Sequence, residues 1–292
     1  MKNTNNKNNM YQQMLAMVQN AIQIIQEEAA VFSQKTKTHY SGTEDDLVTS
    51  ADIKAQAMYV EAIQANFPND GLIGEENGLN IKPKKGYGYF TVDPLDGTKA
   101  FGRTQSTGCG TMIAHVDANN IVDAMCIGDI NTGEIYGFGP EDLPTRIRFG
   151  VKTLMKINAA TPLENRYILL KDHQEEYPAV IQKMSRAKNG GLFKDIEITS
   201  GSIGLIMARL WKNEVAVLIL RANGFDTPWD NTPLIGMNKA LGIVHLRLDI
   251  KTNHIEVFDP EIPKDVIERD WVEILTHKDY AAQIINWIKT NK

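Results

Sequence analysis

The sequence predicts a mixed α/β chain of the α+β kind, in which helices and largely antiparallel sheets alternate in layers. Three observations carry this. Apolar residues recur at three-and-four spacing near the N-terminus, short β-like runs separated by turn residues fill positions 111–138, and strand-like and helix-like segments alternate through the second half. At 292 residues the chain is long enough to bury a full core in one large unit or in two halves around a cleft.

The elements follow in order. Tyr11, Met14, Leu15, Val18, Ile22, Ile25 and Ala29 share one face of a helix from residue 10 to about residue 32. The polar run MKNTNNKNN before it reads as a disordered tail over 1–9, without the apolar segment of a signal peptide. QKTKTHYSGTEDD at 34–46 ends the helix, and Thr49 or Ser50 then caps a second one over Ile53, Ala57, Val60 and Ile63. Residues 72–74 read as a buried strand delivering Glu75 and Glu76, and 87–92 as another delivering Asp93. Segments 111–116, 121–126 and 134–138, separated by Asp117-Ala118-Asn119-Asn120 and Asn131-Thr132-Gly133, form an antiparallel meander. Strands at 167–170, 215–220 and 243–248 then mix with helices at 172–187, 203–211, 231–240 and 280–289. No repeat or Pro/Gly/Ser-rich linker divides the chain, so it reads as one continuous unit with a weak boundary near 140–150.

Composition excludes several classes of function. Hydrophobic residues make up 42% and charged residues 23%, as in an ordinary globular protein, and the net charge of −5 with scattered Lys and Arg leaves no basic stripe for nucleic acid. The longest apolar run, 215–220, falls far short of the roughly 20 residues of a membrane span. A cytoplasmic protein with neither nucleic-acid nor membrane partners is therefore expected. Cys109 and Cys126 lack the number and spacing of a disulfide framework or a zinc site and read as buried reduced thiols. Six isolated histidines offer no metal pair, and no GxSxG, HExxH, GxxxxGK[ST] or DxDx[TV] pattern occurs.

What remains is a set of carboxylates in apolar settings: Asp46 and Asp52 in DLVTSAD, Glu75 and Glu76 in GEENG, Asp93 and Asp96 in DPLDGT, and Asp230 in PWDNTP. Taken singly, GEENG is an acidic turn, DLVTSAD a helix start and Trp229-Asp230 a helix N-cap. Together they are acids that lose hydration and repel one another, so they must take up protons, find cations or coordinate metal. An all-oxygen set suits a hard ion such as Mg²⁺, and four or five carboxylates suggest two or three ions. In Asp93-Pro94-Leu95-Asp96-Gly97-Thr98 the proline bends the chain so that both aspartates face one pocket, with the Leu95 carbonyl between them; Gly97 permits a tight turn, and Thr98 opens a short helix whose amides hold a phosphate oxygen.

In this order and spacing, DLVTSAD, GEE, DPLDGT, Gly201-Ser202 and WD resemble the inositol monophosphatase superfamily, lithium-sensitive and magnesium-dependent phosphatases, from about residue 10 to 290. The resemblance implies a layered αβαβα sandwich of the sugar-phosphatase type, hydrolysis of a phosphomonoester of a small alcohol such as inositol phosphate or histidinol phosphate, Mg²⁺ as cofactor and, as often in the family, a homodimer. It assigns Glu75, Asp93 and the Leu95 carbonyl to one ion, and Asp93, Asp96 and Asp230 to a second. Asp52 and Glu75 help place a weaker third ion, and Asp52 with Thr98 orients the metal-bound water for in-line attack. Gly97 and Thr98 grip the phosphate, with Asp96 beside them, and Gly201 and Ser202 line the alcohol side. On this scheme 10–145 is an N-terminal half carrying most metal ligands, and 146–292 a C-terminal half supplying Asp230 and the substrate-side wall. Departures from the family pattern fall on the substrate side: Gln56 replaces a frequent acid, Asn223 stands where inositol is contacted, and NTPLIGMNKALG follows Trp229-Asp230. They weaken inositol phosphate as the substrate, while Lys99 and Phe101 look closer to the histidinol-phosphate and nucleotide branches. A 3′-phosphoadenosine nucleotide phosphatase, a fructose-1,6-bisphosphate phosphatase and, in another class, a non-catalytic sensor of metal and phosphorylated ligand are the alternatives.

Overall fold

The computed structural model describes residues 4–40, 42, 43 and 46–291. In chain order these form α1 (Thr4–Glu28), β1 (Gln34–Lys37), β2 (Asp46–Thr49), α2 (Ser50–Asn66), β3 (Gly71–Gly74), β4 (Asn80–Ile81), β5 (Tyr89–Asp96), α3 (Thr98–Gly102), β6 (Gly110–Val116), β7 (Val122–Asp129), β8 (Ile135–Phe138), β9 (Thr145–Arg148) and β10 (Val151–Leu154). The second half adds β11 (Tyr167–Leu170), α4 (Ala179–Lys183), β12 (Asp195–Ile198), α5 (Ile203–Trp211), β13 (Val217–Leu220), β14 (Gly224–Asp226), α6 (Pro228–Leu241), β15 (Ile243–Leu248), β16 (Ile255–Phe258), β17 (Ile267–Arg269), β18 (Val272–His277) and α7 (Lys278–Thr290).

An eight-stranded sheet runs in the order β10-β9-β8-β7-β6-β5-β3-β4, and a six-stranded sheet in the order β12-β11-β13-β18-β15-β16. Successive strand residues point to opposite faces, and this alternation builds the layers. On β6, Ile113 packs into the core beneath α1 and α2, whereas its neighbours Met112 and Ala114 enter the core shared with α5 and α6. On β13, Val217 and Ile219 pack with α4 and α7, and Leu218 turns back toward α5 and α6. The resulting sequence of helices, sheet, helices, sheet, helices is the αβαβα sandwich expected. Among the described residues no helix is long and apolar enough to cross a membrane.

The meander predicted over β6 to β8 is antiparallel, and the same pairing extends it to β5 on one side and to β9 and β10 on the other. Among the described residues, parallel pairing is confined to β3 with β5 and to β11 with β12 and β13, and both places border the site described below.

Several elements depart from the sequence reading. α1 starts at Thr4 and not at residue 10, because a helix seeded by an amphipathic stretch propagates at little cost into polar residues; residues 1–3 of the expected tail lie outside the described residues. The polar 34–46 segment opens with a strand, β1, which pairs with β2 from Gln34 opposite Thr49 to Lys37 opposite Asp46. The single helix expected over 172–187 is broken. Pro178 cannot donate a backbone hydrogen bond, and only the five-residue α4 forms, flanked by 3₁₀ turns at Gln174–Glu176 and Ala187–Asn189. β9, β10, β12, β14 and β16 to β18 were not legible, being three to six residues long and mostly polar or unbounded by turn signals.

Candidate active site

Residues three apart on a regular strand face opposite sides, so Asp93 and Asp96 need a break to meet. β5 provides it. Asp93 lies opposite Met112 and Asp96 opposite Gly110, which places one extra residue on β5, a bulge containing Pro94. Carboxylate oxygens of Asp93, Asp96 and Asp230 then lie within 4.8 Å of one another. Parallel pairing of β3 with β5 sets Gly74 opposite Val92, so Glu75, the next residue, arrives beside Asp93.

Two of the acids, Asp230 of this triad and Asp52, come from helix N-termini built on the same Thr-x-x-Asp spacing. Thr49 caps α2, and its amide and hydroxyl both donate to Asp52 Oδ2, at 2.7 and 2.6 Å. Thr227 caps α6 and its hydroxyl donates to Asp230 Oδ2 at 2.9 Å. Asp230 thus occupies the third helical position and is not the N-cap that its sequence context suggests. Both carboxylates sit where the helix dipole favours negative charge.

Thr98 and Ser202 link the pieces. The Thr98 hydroxyl lies 3.1 Å from Asp52 Oδ1 and 2.9 Å from the Leu95 carbonyl, two acceptors it can serve in turn. Asp96 accepts from the Ser202 hydroxyl and from the amides of Ile203 at 3.0 Å and Gly204 at 2.8 Å, at the start of α5. Ser202, expected on the alcohol side, therefore fixes a carboxylate and caps α5 through Leu205 N at 3.0 Å. Gly97 and Gly201 make this junction possible. Each has positive φ, +90° and +100°, and a Cβ on either would lie 2.2 or 2.7 Å from the Gly108 carbonyl oxygen.

The cluster is electrostatically crowded. Burial, then the charges of Glu75, Asp96 and Asp230, pushes Asp93 well above the usual carboxylate range. Burial raises Asp230 to about 6, with Asp96 adding to it and Lys171 opposing. Burial raises Glu75 to about 8 against the pull of Lys37. Asp96 and Asp52 are also raised by burial, although their hydrogen bonds favour the charged form. Carboxylates that resist ionisation in company are what a hard divalent cation relieves. The donor set of Asp93, Asp96 and Asp230, all oxygen and nearly all buried, fits such an ion. Glu75 stands beside this set with its Oε1 2.9 Å from Lys37 Nζ. Asp46 opens β2, accepts from Leu47 N at 3.0 Å and is outside the triad.

Three site residues escaped the sequence reading. Lys37 Nζ bridges Glu75 and Glu76, at 2.9 and 2.6 Å, from a hairpin that looked like a loop. Tyr40 and Lys171 line a cavity of about 560 Å³ together with Asp230, Asn223 and Arg221. The Thr-x-x-Asp pattern at Thr227 was a usable signal; nothing in the sequence marked Lys171. Gln56, noted as a departure, donates to the Glu76 carbonyl at 2.9 Å and accepts from the Glu76 amide at 2.9 Å. A carboxylate there could not donate, so the amide is what pins the Glu75-Glu76 turn.

Residues 6–138 match the profile of the inositol monophosphatase family. The chain is 34% identical over 108 residues to a histidinol-phosphatase of Chlorobaculum parvum, covering 36% of this chain and 39% of that protein. It is 28% identical over 157 residues to the Nus factor SuhB of Vibrio cholerae, covering 52% and 56%. The match thus spans about half or less of these relatives' length. Solved folds extend over nearly the whole chain: inositol monophosphatase from Anabaena superposes with a TM-score of 0.69 at 16% identity, covering 98% of this chain and 97% of that one. The extragenic suppressor protein suhB from Bartonella henselae gives 0.71 at 16%, covering 96% and 98%. Over residues 6–138 the chain is thus similar to the inositol monophosphatase family, and its fold over nearly the whole length is that of solved inositol monophosphatases.

Proposed function

We propose that the protein is a Mg²⁺-dependent phosphomonoesterase for a small phosphorylated alcohol. The observation that carries this is the approach of three carboxylates, Asp93, Asp96 and Asp230, within 4.8 Å. These three, with Glu75 and the Leu95 carbonyl, would hold magnesium in two or three places. When bound, the metal supplies positive charge to the phosphoryl oxygens and acidifies water near neutral pH. The protein's own groups do the rest. With its proton donated to Asp52, Thr98 Oγ1 keeps lone pairs that accept a proton from the attacking water and aim it in line with the scissile bond. The buried Asp52, its affinity for protons raised, is suited to take up positive charge from that hydroxyl. The turn at Gly97-Thr98 faces its amides to the phosphate, and Gly201 borders the alcohol.

The halves 10–145 and 146–292 would act as one unit, because the first supplies four of the five acids and the second supplies Asp230. Hydrolysis is favoured over a ligand sensor by the Thr98–Asp52 pair, which a binding protein would not need. Inositol phosphate, histidinol phosphate, fructose 1,6-bisphosphate and 3′-phosphoadenosine 5′-phosphate are the compounds to assay. Release of phosphate that stops with EDTA and returns with Mg²⁺ is expected, and release unaffected by EDTA opposes the reading. Lithium inhibition, a homodimer and a cytoplasmic location extend the proposal by family likeness, and LiCl titration, sedimentation and fractionation test them in turn.

A further inference from the structure

β12, β11 and β13 run parallel and side by side, and the segments leaving their carboxyl ends border the candidate active site. Lys171 follows β11, Arg221 follows β13, and Ser202, beyond β12, bonds Asp96. Open α/β sheets bind ligands at this end. Lys171 and Arg221 line the same cavity as Asp230, and its volume of about 560 Å³ holds far more than a phosphoryl group.

The charge on that wall is unbalanced. Outside the carboxylate cluster, and apart from Lys99, which has an interaction of its own, the charged groups lining the cavity are, among the described residues, Lys171, Arg221 and Arg269 against Asp172 and Asp226. Both acids are already engaged: Asp172 Oδ2 lies 3.3 Å from Arg221 Nε, and Asp226 Oδ1 lies 2.5 Å from Arg269 Nη1. Lys171 makes no ion pair among the described residues, and it is half-buried. Its charge is drawn to Asp230 and Asp96, and a divalent ion held by those acids would take over that role, leaving the ammonium to gain most from a substrate anion and to oppose a cation. Neutral polyols leave it uncompensated.

We infer that Lys171 is a specificity residue that binds a second anionic group, phosphate or carboxylate, on the alcohol portion of the substrate, so that doubly anionic phosphomonoesters are preferred over neutral or cationic ones. This rests on the phosphatase reading. It also sets the chain apart from its histidinol-phosphatase relative, since histidinol phosphate carries a cationic alcohol.

The test compares the wild type, Lys171→Met and Lys171→Arg in Mg²⁺, with melting curves verifying that each is folded. Adenosine 3′,5′-bisphosphate and fructose 1,6-bisphosphate present a second phosphate, 2-phosphoglycerate presents a carboxylate, and inositol 1-phosphate and histidinol phosphate present neither. In Lys171→Met the ratio of kcat/KM for a doubly anionic compound to that for inositol 1-phosphate falls about tenfold or more, mainly through KM, and Lys171→Arg restores most of it. A fall with the bisphosphates identifies the partner as phosphate, and a fall with 2-phosphoglycerate identifies it as carboxylate. An unchanged ratio, with all substrates affected alike, overturns the inference and places Lys171 at the scissile phosphate. Thermal stabilisation by the same compounds reads the preference without turnover. No phosphate release from any compound would reject the hydrolase reading, and the binding ratio would still judge Lys171.

Discussion

Thr98 Oγ1 stands 3.1 Å from Asp52 Oδ1, so a hydroxyl at the start of α3 and a carboxylate in the first turn of α2 form one buried pair across 46 residues of chain. Thr98→Val keeps the shape and removes the hydroxyl. It should lower kcat by about 100-fold or more while the melting temperature moves little, and Thr98→Ser should retain most activity. Steady-state phosphate release and thermal melts check both outcomes.

Ser202 joins Asp96 to the N-terminus of α5. Ser202→Ala should cost about 1–2 kcal/mol of stability through the lost cap, and weaken Mg²⁺ binding about 10–100-fold by freeing a carboxylate that the hydroxyl holds in place. Urea unfolding and Mg²⁺ titration measure the two effects separately. A loss of substrate affinity alone would return Ser202 to the alcohol side.

Gly97 packs its backbone against the Gly108 carbonyl, and a methyl group there would come within 2.2 Å of that oxygen. With φ at +90° as well, Gly97→Ala should destabilise the fold by roughly 2–4 kcal/mol. Gly133→Ala, at φ +70° in an open turn, is the control for conformational strain without the clash and should cost about 1 kcal/mol. Equal losses in the two variants would contradict the close approach.

His115 on β6 lies between two carboxylates, with Nδ1 2.6 Å from Asp123 Oδ1 and Nε2 3.4 Å from Asp70 Oδ1. Burial alone would lower its affinity for a proton, and the two acids overcome this, raising the imidazole to about 9. A folded value above the unfolded one means that its contribution is fully present below about pH 6.5 and is lost as pH rises through about 9. The wild type should lose on the order of 2–3 kcal/mol between pH 6 and pH 9.5 from this group, and His115→Gln should lack that slope. Urea denaturation across this range tests it.

Periodicity made α1, α2, α5, α7 and the central meander legible, because each buries one regular face. Motif spacing brought Asp52, Asp93, Asp96, Thr98 and Asp230 onto one list, and the bulge at Pro94 is the geometry that the DPLDGT spacing requires. Lys37 was hidden because β1 is polar and exposed on a two-stranded ribbon, without the alternation that marks a half-buried strand. Lys171 was hidden for a different reason. Its place depends on three parallel strands ending together, a long-range pairing that no local pattern encodes.

The crowding of Asp93, Asp96 and Asp230 is the feature from which the proposed chemistry follows, and calorimetric titration of metal-free protein with Mg²⁺ examines it directly. The wild type should take up magnesium, and Asp93→Asn, which removes the acid shared by both proposed ion positions, should bind it about 100-fold more weakly or not at all. No heat of binding in the wild type, or equal binding by the two proteins, would contradict the account.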